Sequence, residues 1–165
     1  MRQVDWRLTE QQLSAFVVEE PHWLPALANA SALLWQELDD VNWVGFYLSG
    51  TLLGAGLPAD ELFLGPFQGK VACVHIRRGA GVCGTAWERD ETQLVPDVHA
   101  FPGHIACDSA SNSEIVVPIH RDGEVCGVLD IDSPSFGRFS EADREGLEEF
   151  VRVLERNVFF TEEAV

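Results

Sequence analysis

The chain has 165 residues, 46% of them hydrophobic and 10% aromatic, which gives one domain a real core and excludes a disordered composition. A formal net charge of -16 argues against nucleic acid, whose phosphates are neutralised by Lys and Arg, and reads as a solubilising acidic surface. No apolar run is long enough to span a bilayer, and MRQVDWRLTEQQ lacks the apolar centre of a signal peptide, so the expectation is a soluble cytoplasmic protein with no membrane partner.

Thr9-x-x-Gln12 resembles a capping box for a first helix whose Leu13, Phe16 and Val17 share one face. Residues 22–39 form a second helix, with Leu27, Ala30, Leu34 and Leu38 at helical spacing. NWVGFYLSG (42–50) reads as a strand, TLLGAGL as a segment able to pair with it, and Gly65-Pro66 as loop punctuation. KVACVHI (70–76) begins a strand or a turn. The small residues of GVCGTAWERD (81–90) allow a short helix packed closely on a sheet, and TQLVPD is a short strand stopped by Pro96. Residues 97–113 show no period, a length at which a loop is usually functional. EIVVPI and EVCGVLDID are strands joined through His120-Arg121-Asp122-Gly123. The last helix starts at a Ser140 cap, with Glu141 and Asp143 at its positive end and Leu147, Phe150, Val151, Leu154 and Val158 as its apolar stripe. Helices at both ends of an antiparallel sheet make an α+β domain over residues 1–165.

Four cysteines occur, Cys73, Cys83, Cys107 and Cys126, with no C-x-x-C pair. A cytoplasmic chain does not favour a structural disulfide framework, which leaves buried inert thiols, metal ligands or redox cysteines. Cys126, in a strand beside Gly127, reads as a small packing residue. His75, His99 and His104 with Cys73 and Cys107 match no zinc-finger or ribbon spacing, and no metal is expected.

Facing inside the last hairpin decides whether its acids converge. Side chains alternate along a strand, so Cys126, Val128, Asp130 and Asp132 fall on one face, and Val125, Leu129 and Ile131 on the other. A two-residue Asp122-Gly123 turn pairs Arg121 with Glu124 and sets Glu114 against Ile131, with the acids on opposite faces. A type I turn with Gly123 in a bulge pairs His120 with Glu124 and Glu114 with Asp130, and it also matches Ile115 with Leu129 and Ile119 with Val125. The bulged turn is therefore expected. Three like charges on one face raise at least one carboxyl pKa, giving a proton donor or a clasp for an ammonium group; a solvated strand face is the plain alternative.

NWVGFYL, GVCGTA, DVHAFPGHIACDSASNSEIVVPI and GVLDIDS together resemble the free methionine-(R)-sulfoxide reductase family, built on a single GAF domain. The resemblance implies a GAF fold with a central six-stranded antiparallel sheet flanked by N- and C-terminal helices, commonly as a homodimer. It implies reduction of the R epimer of free methionine sulfoxide through a cysteine sulfenic acid and an intramolecular disulfide. No bound cofactor is implied; the thioredoxin/NADPH system serves as reductant. By motif match Cys107 resembles the catalytic cysteine, Cys73 the resolving one, and Cys83 a third thiol of auxiliary or alternative role. Glu114, Asp130 and Asp132 match substrate-site acids, and Trp43 and Tyr47 aromatic members of the pocket for the methyl end. A mobile 97–111 loop would let Cys107 reach Cys73. The rival readings are a non-catalytic GAF module that binds a small ligand and a thiol redox sensor without turnover.

Overall fold

The computed structural model describes residues 3–19, 22–54, 56–104 and 109–159. Its elements are α1 (Trp6–Val17), α2 (Trp23–Glu37), β1 (Trp43–Ser49), α3 (Gly50–Leu53), β2 (Glu61–Gly69), β3 (His75–Arg77), α4 (Gly81–Arg89), β4 (Gln93–Val95), β5 (Ser113–Arg121), β6 (Glu124–Ser133) and α5 (Glu141–Leu154). The strands form one six-stranded sheet in the order β3-β2-β1-β6-β5-β4, with every neighbouring pair antiparallel. The expected fold class therefore holds. No described helix is long and apolar enough to cross a membrane.

The sheet is apolar on both faces, and the two faces do different work. Val44, Phe46 and Leu48 of β1 point with Ile115, Val117, Ile119, Leu129 and Ile131 into a core closed by α1, α2 and α5. The alternate residues Trp43, Tyr47, Val116 and Val128 point the other way, into a second buried cluster with Val82, Cys83, Ala86 and Trp87 of α4. That face carries the site. Gly84 lets α4 lie close against the end of β3 and the turn that follows it, because a Cβ there would collide with the Arg77 carbonyl oxygen. The small-residue reading of GVCGTA holds for that reason.

Several local expectations needed correction. The first helix is capped by Asp5, whose Oδ1 accepts the Leu8 N–H at 3.1 Å; Thr9 lies inside the helix and its hydroxyl donates back to the Asp5 carbonyl. TLLGAGL does not pair with β1. Its first residues fold into α3, capped by the Ser49 hydroxyl, and β1 pairs instead with Glu61–Gly69. Gly65 and Pro66 are thus strand residues. The β1–β2 register slips there, setting two residues against Phe46, so the missing N–H of Pro66 falls at a bulge. The Ser31 hydroxyl donates to the Pro66 carbonyl and ties α2 to that irregularity. The last helix has the expected cap as a reciprocal box between Ser140 and Asp143, and ends in a π turn over Glu155–Phe159.

The hairpin differs most instructively. Its turn is the tight two-residue Asp122-Gly123 loop, with both residues at positive φ and Arg121 opposite Glu124. The strand then bulges one step later. His120 pairs with Val125 but Ile119 pairs with Gly127, so Cys126 is an extra residue in β6. The insertion restores facing parity: Glu114 lies opposite Asp132 and Val116 opposite Asp130. The acids share a face as expected, through a different turn and with every apolar pair shifted by two residues. The bulge also exchanges two side chains. Cys126 joins the helix-covered core and Val125 packs on the site face.

His120 closes the back of the hairpin. Its Nδ1 lies 2.8 Å from Glu155 Oε1 and its Nε2 lies 2.6 Å from Asp90 Oδ1, at the end of α4. Partial burial alone would lower its pKa, but the hydrogen bonds with Glu155 and Asp90 raise it above 6.5. The protonated imidazole is then the stabilising form. Its contribution is full below the ordinary 6.5 and is lost as pH rises through the folded-state pKa. The difference in Tm between wild type and His120→Gln should accordingly be larger at about pH 6 than at about pH 8.5; an equal difference at both would remove the clasp.

Candidate active site

A cavity opens between β1, β5, β6, the first turn of α4 and the 70–72 segment. One wall is aromatic. Trp43 stacks on Tyr47 at 5.7 Å and on Phe67 at 5.3 Å between ring centroids, and its indole N–H donates to the Lys70 carbonyl. Both residues expected for the methyl end therefore line one surface. Phe67, which the sequence reading missed, supports them from β2. Gly45 makes this stack possible, because a Cβ there would collide with Phe67 Cβ and the Trp43 ring. Gly45→Ala should displace the indole at a cost of about 1–3 kcal/mol. Isothermal titration with the ligand proposed below should show the larger proportional loss in affinity, rather than in Tm.

The opposite end is acidic. Glu114 and Asp130 are each only 6% exposed, and Asp132 is half-buried beside them. Burial, then repulsion from Asp130 and Asp132, pushes Glu114 well above the usual carboxylate range. Burial also raises Asp130, to about 6, against the opposing hydrogen bonds from Cys83 and Glu114. The pair thus holds a proton near neutral pH. His104 Nε2 lies 3.8 Å from Glu114 Oε2, and desolvation lowers the His104 pKa, which favours a neutral imidazole at that wall. Asp130 Oδ1 has no hydrogen-bond partner among the described residues. A buried, unpartnered carboxylate oxygen on a cavity-lining residue calls for a donor or a cation from outside the chain.

Cys83 lies in the first turn of α4, free and buried, within the same acidic cluster. Burial first, and then Asp130 and Glu114, push its thiol well above the ordinary range, so it keeps its proton. Cys73 is placed differently. It is disulfide-bonded, half-exposed, and sits next to the 70–72 segment that lines the cavity. The Tyr47 hydroxyl donates to the Cys73 carbonyl at 3.0 Å, which ties the backbone of this cysteine to the aromatic wall. Cys107 lies outside the described residues. Cys126 is free and buried on the far face of the sheet, as a packing residue. The reading also missed the backbone of Ala80–Val82, where α4 begins without a side-chain cap and its first turn lines the cavity.

This architecture is that of a GAF domain, whose family model matches residues 20–158. The chain is 52% identical to free methionine-R-sulfoxide reductase of Escherichia coli over 88% of this chain and 84% of that protein. It also resembles the structure of fRMsr of Staphylococcus aureus in complex with substrate, at 48% identity and a TM-score of 0.86, covering 96% of this chain and 98% of that one. The X-ray structure of free methionine-R-sulfoxide reductase from Neisseria meningitidis in complex with its substrate gives 45% identity and a TM-score of 0.85, over 92% and 87% of the two chains. The chain belongs to the free methionine-R-sulfoxide reductase family of GAF domain proteins.

Proposed function

We propose that the protein reduces free methionine-(R)-sulfoxide to methionine, with Cys107 as nucleophile and Cys73 as resolving cysteine. The observation that carries this reading is the pairing, in one cavity, of a proton-holding acid pair with an aromatic wall tethered to a disulfide-bonded cysteine. The ammonium of a free amino acid suits Glu114, Asp130 and Asp132, three acids that line one cavity. Its carboxylate suits backbone N–H groups, either those of the first turn of α4 or those near 109–113. The methyl sulfoxide end then lies toward Trp43 and Tyr47.

The chemistry balances with these groups. The Cys107 thiolate attacks the sulfoxide sulfur, and the oxygen takes a proton from the acid pair. Cleavage leaves methionine and a sulfenic acid on Cys107. The Cys73 thiol condenses with it, forming a disulfide and releasing water. A dithiol protein of thioredoxin type, fed by NADPH, reduces that disulfide by exchange and is itself oxidised. Cys73 alone of the three described cysteines is disulfide-bonded, while Cys83 and Cys126 are free, which supports Cys73 over Cys83 as first resolver. Carboxylates disfavour a thiolate nearby, so Cys107 ionises after the substrate ammonium arrives. The same reading carries a homodimer in the cytoplasm.

The test is consumption of R and S sulfoxides, free and peptide-bound, with a thioredoxin system. Only the free R epimer should be consumed. Turnover of the peptide-bound form, or of neither epimer, overturns the proposal, and the latter favours a ligand-binding module or a redox sensor.

A further inference from the structure

We propose that the acidic end of the cavity is also a binding site for a divalent cation of the zinc type, held by Cys83 Sγ and the carboxylates of Glu114 and Asp130, and that this cation blocks the sulfoxide pocket. One donor atom from each of these three side chains lies within 4.8 Å of the other two, and all three residues are buried. A tetrahedral zinc with Zn–S near 2.3 Å and Zn–O near 2.1 Å sets its ligands about 3.4–3.6 Å apart. Inward rotation by about 1 Å or less closes that gap.

A second feature points to a ligand independently of the clustering. Asp130 lines the cavity and is 94% buried (6% exposed), and its Oδ1 is buried with no partner among the described residues. The same three residues line the cavity, which would supply the fourth position to a water molecule, as in zinc sites with three protein ligands.

The donor set selects the metal. Magnesium and calcium want six or more oxygen ligands, whereas two carboxylates and a thiolate suit a borderline-soft cation with low coordination number. The proton balance is closed: the Cys83 proton and the proton shared by Glu114 and Asp130 leave as one dication enters. Affinity therefore rises with pH. The other titratable groups lining the cavity are Asp132, which favours the cation, Lys70, which opposes it, and His104 and Tyr47. The set differs from the histidines and Cys73–Cys107 considered from sequence spacing. Cys83 is free while Cys73 is disulfide-bonded, so the site exists in the oxidised protein, out of step with the redox state of Cys73.

Cobalt(II) added to the disulfide form of the protein tests the site directly. One equivalent should produce thiolate-to-cobalt charge-transfer absorption, abolished by zinc. Cys126→Ser should keep the band, Cys83→Ser should lose it, and Asp130→Asn should weaken cobalt binding at least tenfold. Absence of the band, its survival in Cys83→Ser, or unchanged affinity in Asp130→Asn overturns the site; the last holds even if Cys83→Ser fails to fold. The blocking half rests on the reductase reading. Free methionine sulfoxide should raise the apparent cobalt dissociation constant in proportion to its concentration, and no competition overturns blocking. Failure of the reductase reading would show instead as lack of turnover in metal-free, chelator-treated enzyme.

Discussion

Asp130→Asn is expected to make the protein more stable at neutral pH and to remove most of its sulfoxide turnover. Two buried carboxylates a few ångströms apart, with Asp132 beside them, hold folded-state pKa values above their unfolded ones. A raised acid pKa contributes stability that is full below the unfolded value and is lost as pH rises through the folded one. For Asp130 that window runs from its ordinary 3.8 to about 6, and for Glu114 it begins at 4.5 and extends well above. At pH 7.5 the acid pair thus supports the fold less than it does under acid conditions. Asparagine removes one member of the pair and keeps its size. Recovery of about 1–2 kcal/mol should raise Tm by roughly 3–6 °C in a domain this long. Stability should also vary less between pH 4 and 7 than in wild type. Turnover should move in the opposite direction. Removing one partner from a buried charge pair with the substrate ammonium costs about 2–5 kcal/mol, hence roughly a 30- to 5,000-fold loss in kcat/KM. Thermal melts across pH and steady-state kinetics check the two halves. A variant less stable at pH 7.5, or one with near wild-type kcat/KM, would remove Asp130 from the role given to it.

This acid pair also shows what the sequence made legible. The alternation of β5 and β6 put Glu114, Asp130 and Asp132 within reach of one another, and the demand that both apolar sets meet excluded a plain two-residue hairpin. That demand was sound, but it fixes only the parity of the register. A bulge at the turn and a bulge at Cys126 satisfy it equally, and the tight Asp122-Gly123 turn, with both residues at positive φ, decides for the second. Local strand patterns thus resolved faces and left absolute register open. Pro66 misled for a related reason: a proline inside a central strand reads as a break unless a bulge absorbs its missing N–H, and the residue that stabilises this one, Ser31, lies 35 positions away. Long-range partners are likewise what escaped at the site. Phe67 behind Trp43, the Tyr47 bond to the Cys73 carbonyl and the uncapped start of α4 depend on how separate strands stack, which no short window of sequence encodes.

Cys107→Ser and Cys73→Ser should separate attack from resolution, and the largest effect in the molecule is expected for the first. A serine hydroxyl is a far weaker nucleophile than a thiol, so Cys107→Ser should lower turnover by roughly 10³-fold or more. The acid pair and the aromatic wall would still be present, so the variant should bind free sulfoxide with little change in affinity, measurable by calorimetry. Cys73→Ser should leave the attack intact. One equivalent of methionine per chain should form rapidly, followed by a stall with a dithiol protein as reductant, because Cys107 has no partner with which to expel water. A small-molecule thiol, able to reach the sulfenic acid directly, should restore slow multiple turnover. Cys83→Ser discriminates further. Its thiol is buried, keeps its proton and is free where Cys73 is bonded, so the first-turnover burst should persist in that variant with resolution still running through Cys73. Loss of the disulfide in Cys83→Ser, with its retention in Cys73→Ser, would exchange the two roles. Mass spectrometry of the alkylated protein after one turnover reads this outcome directly.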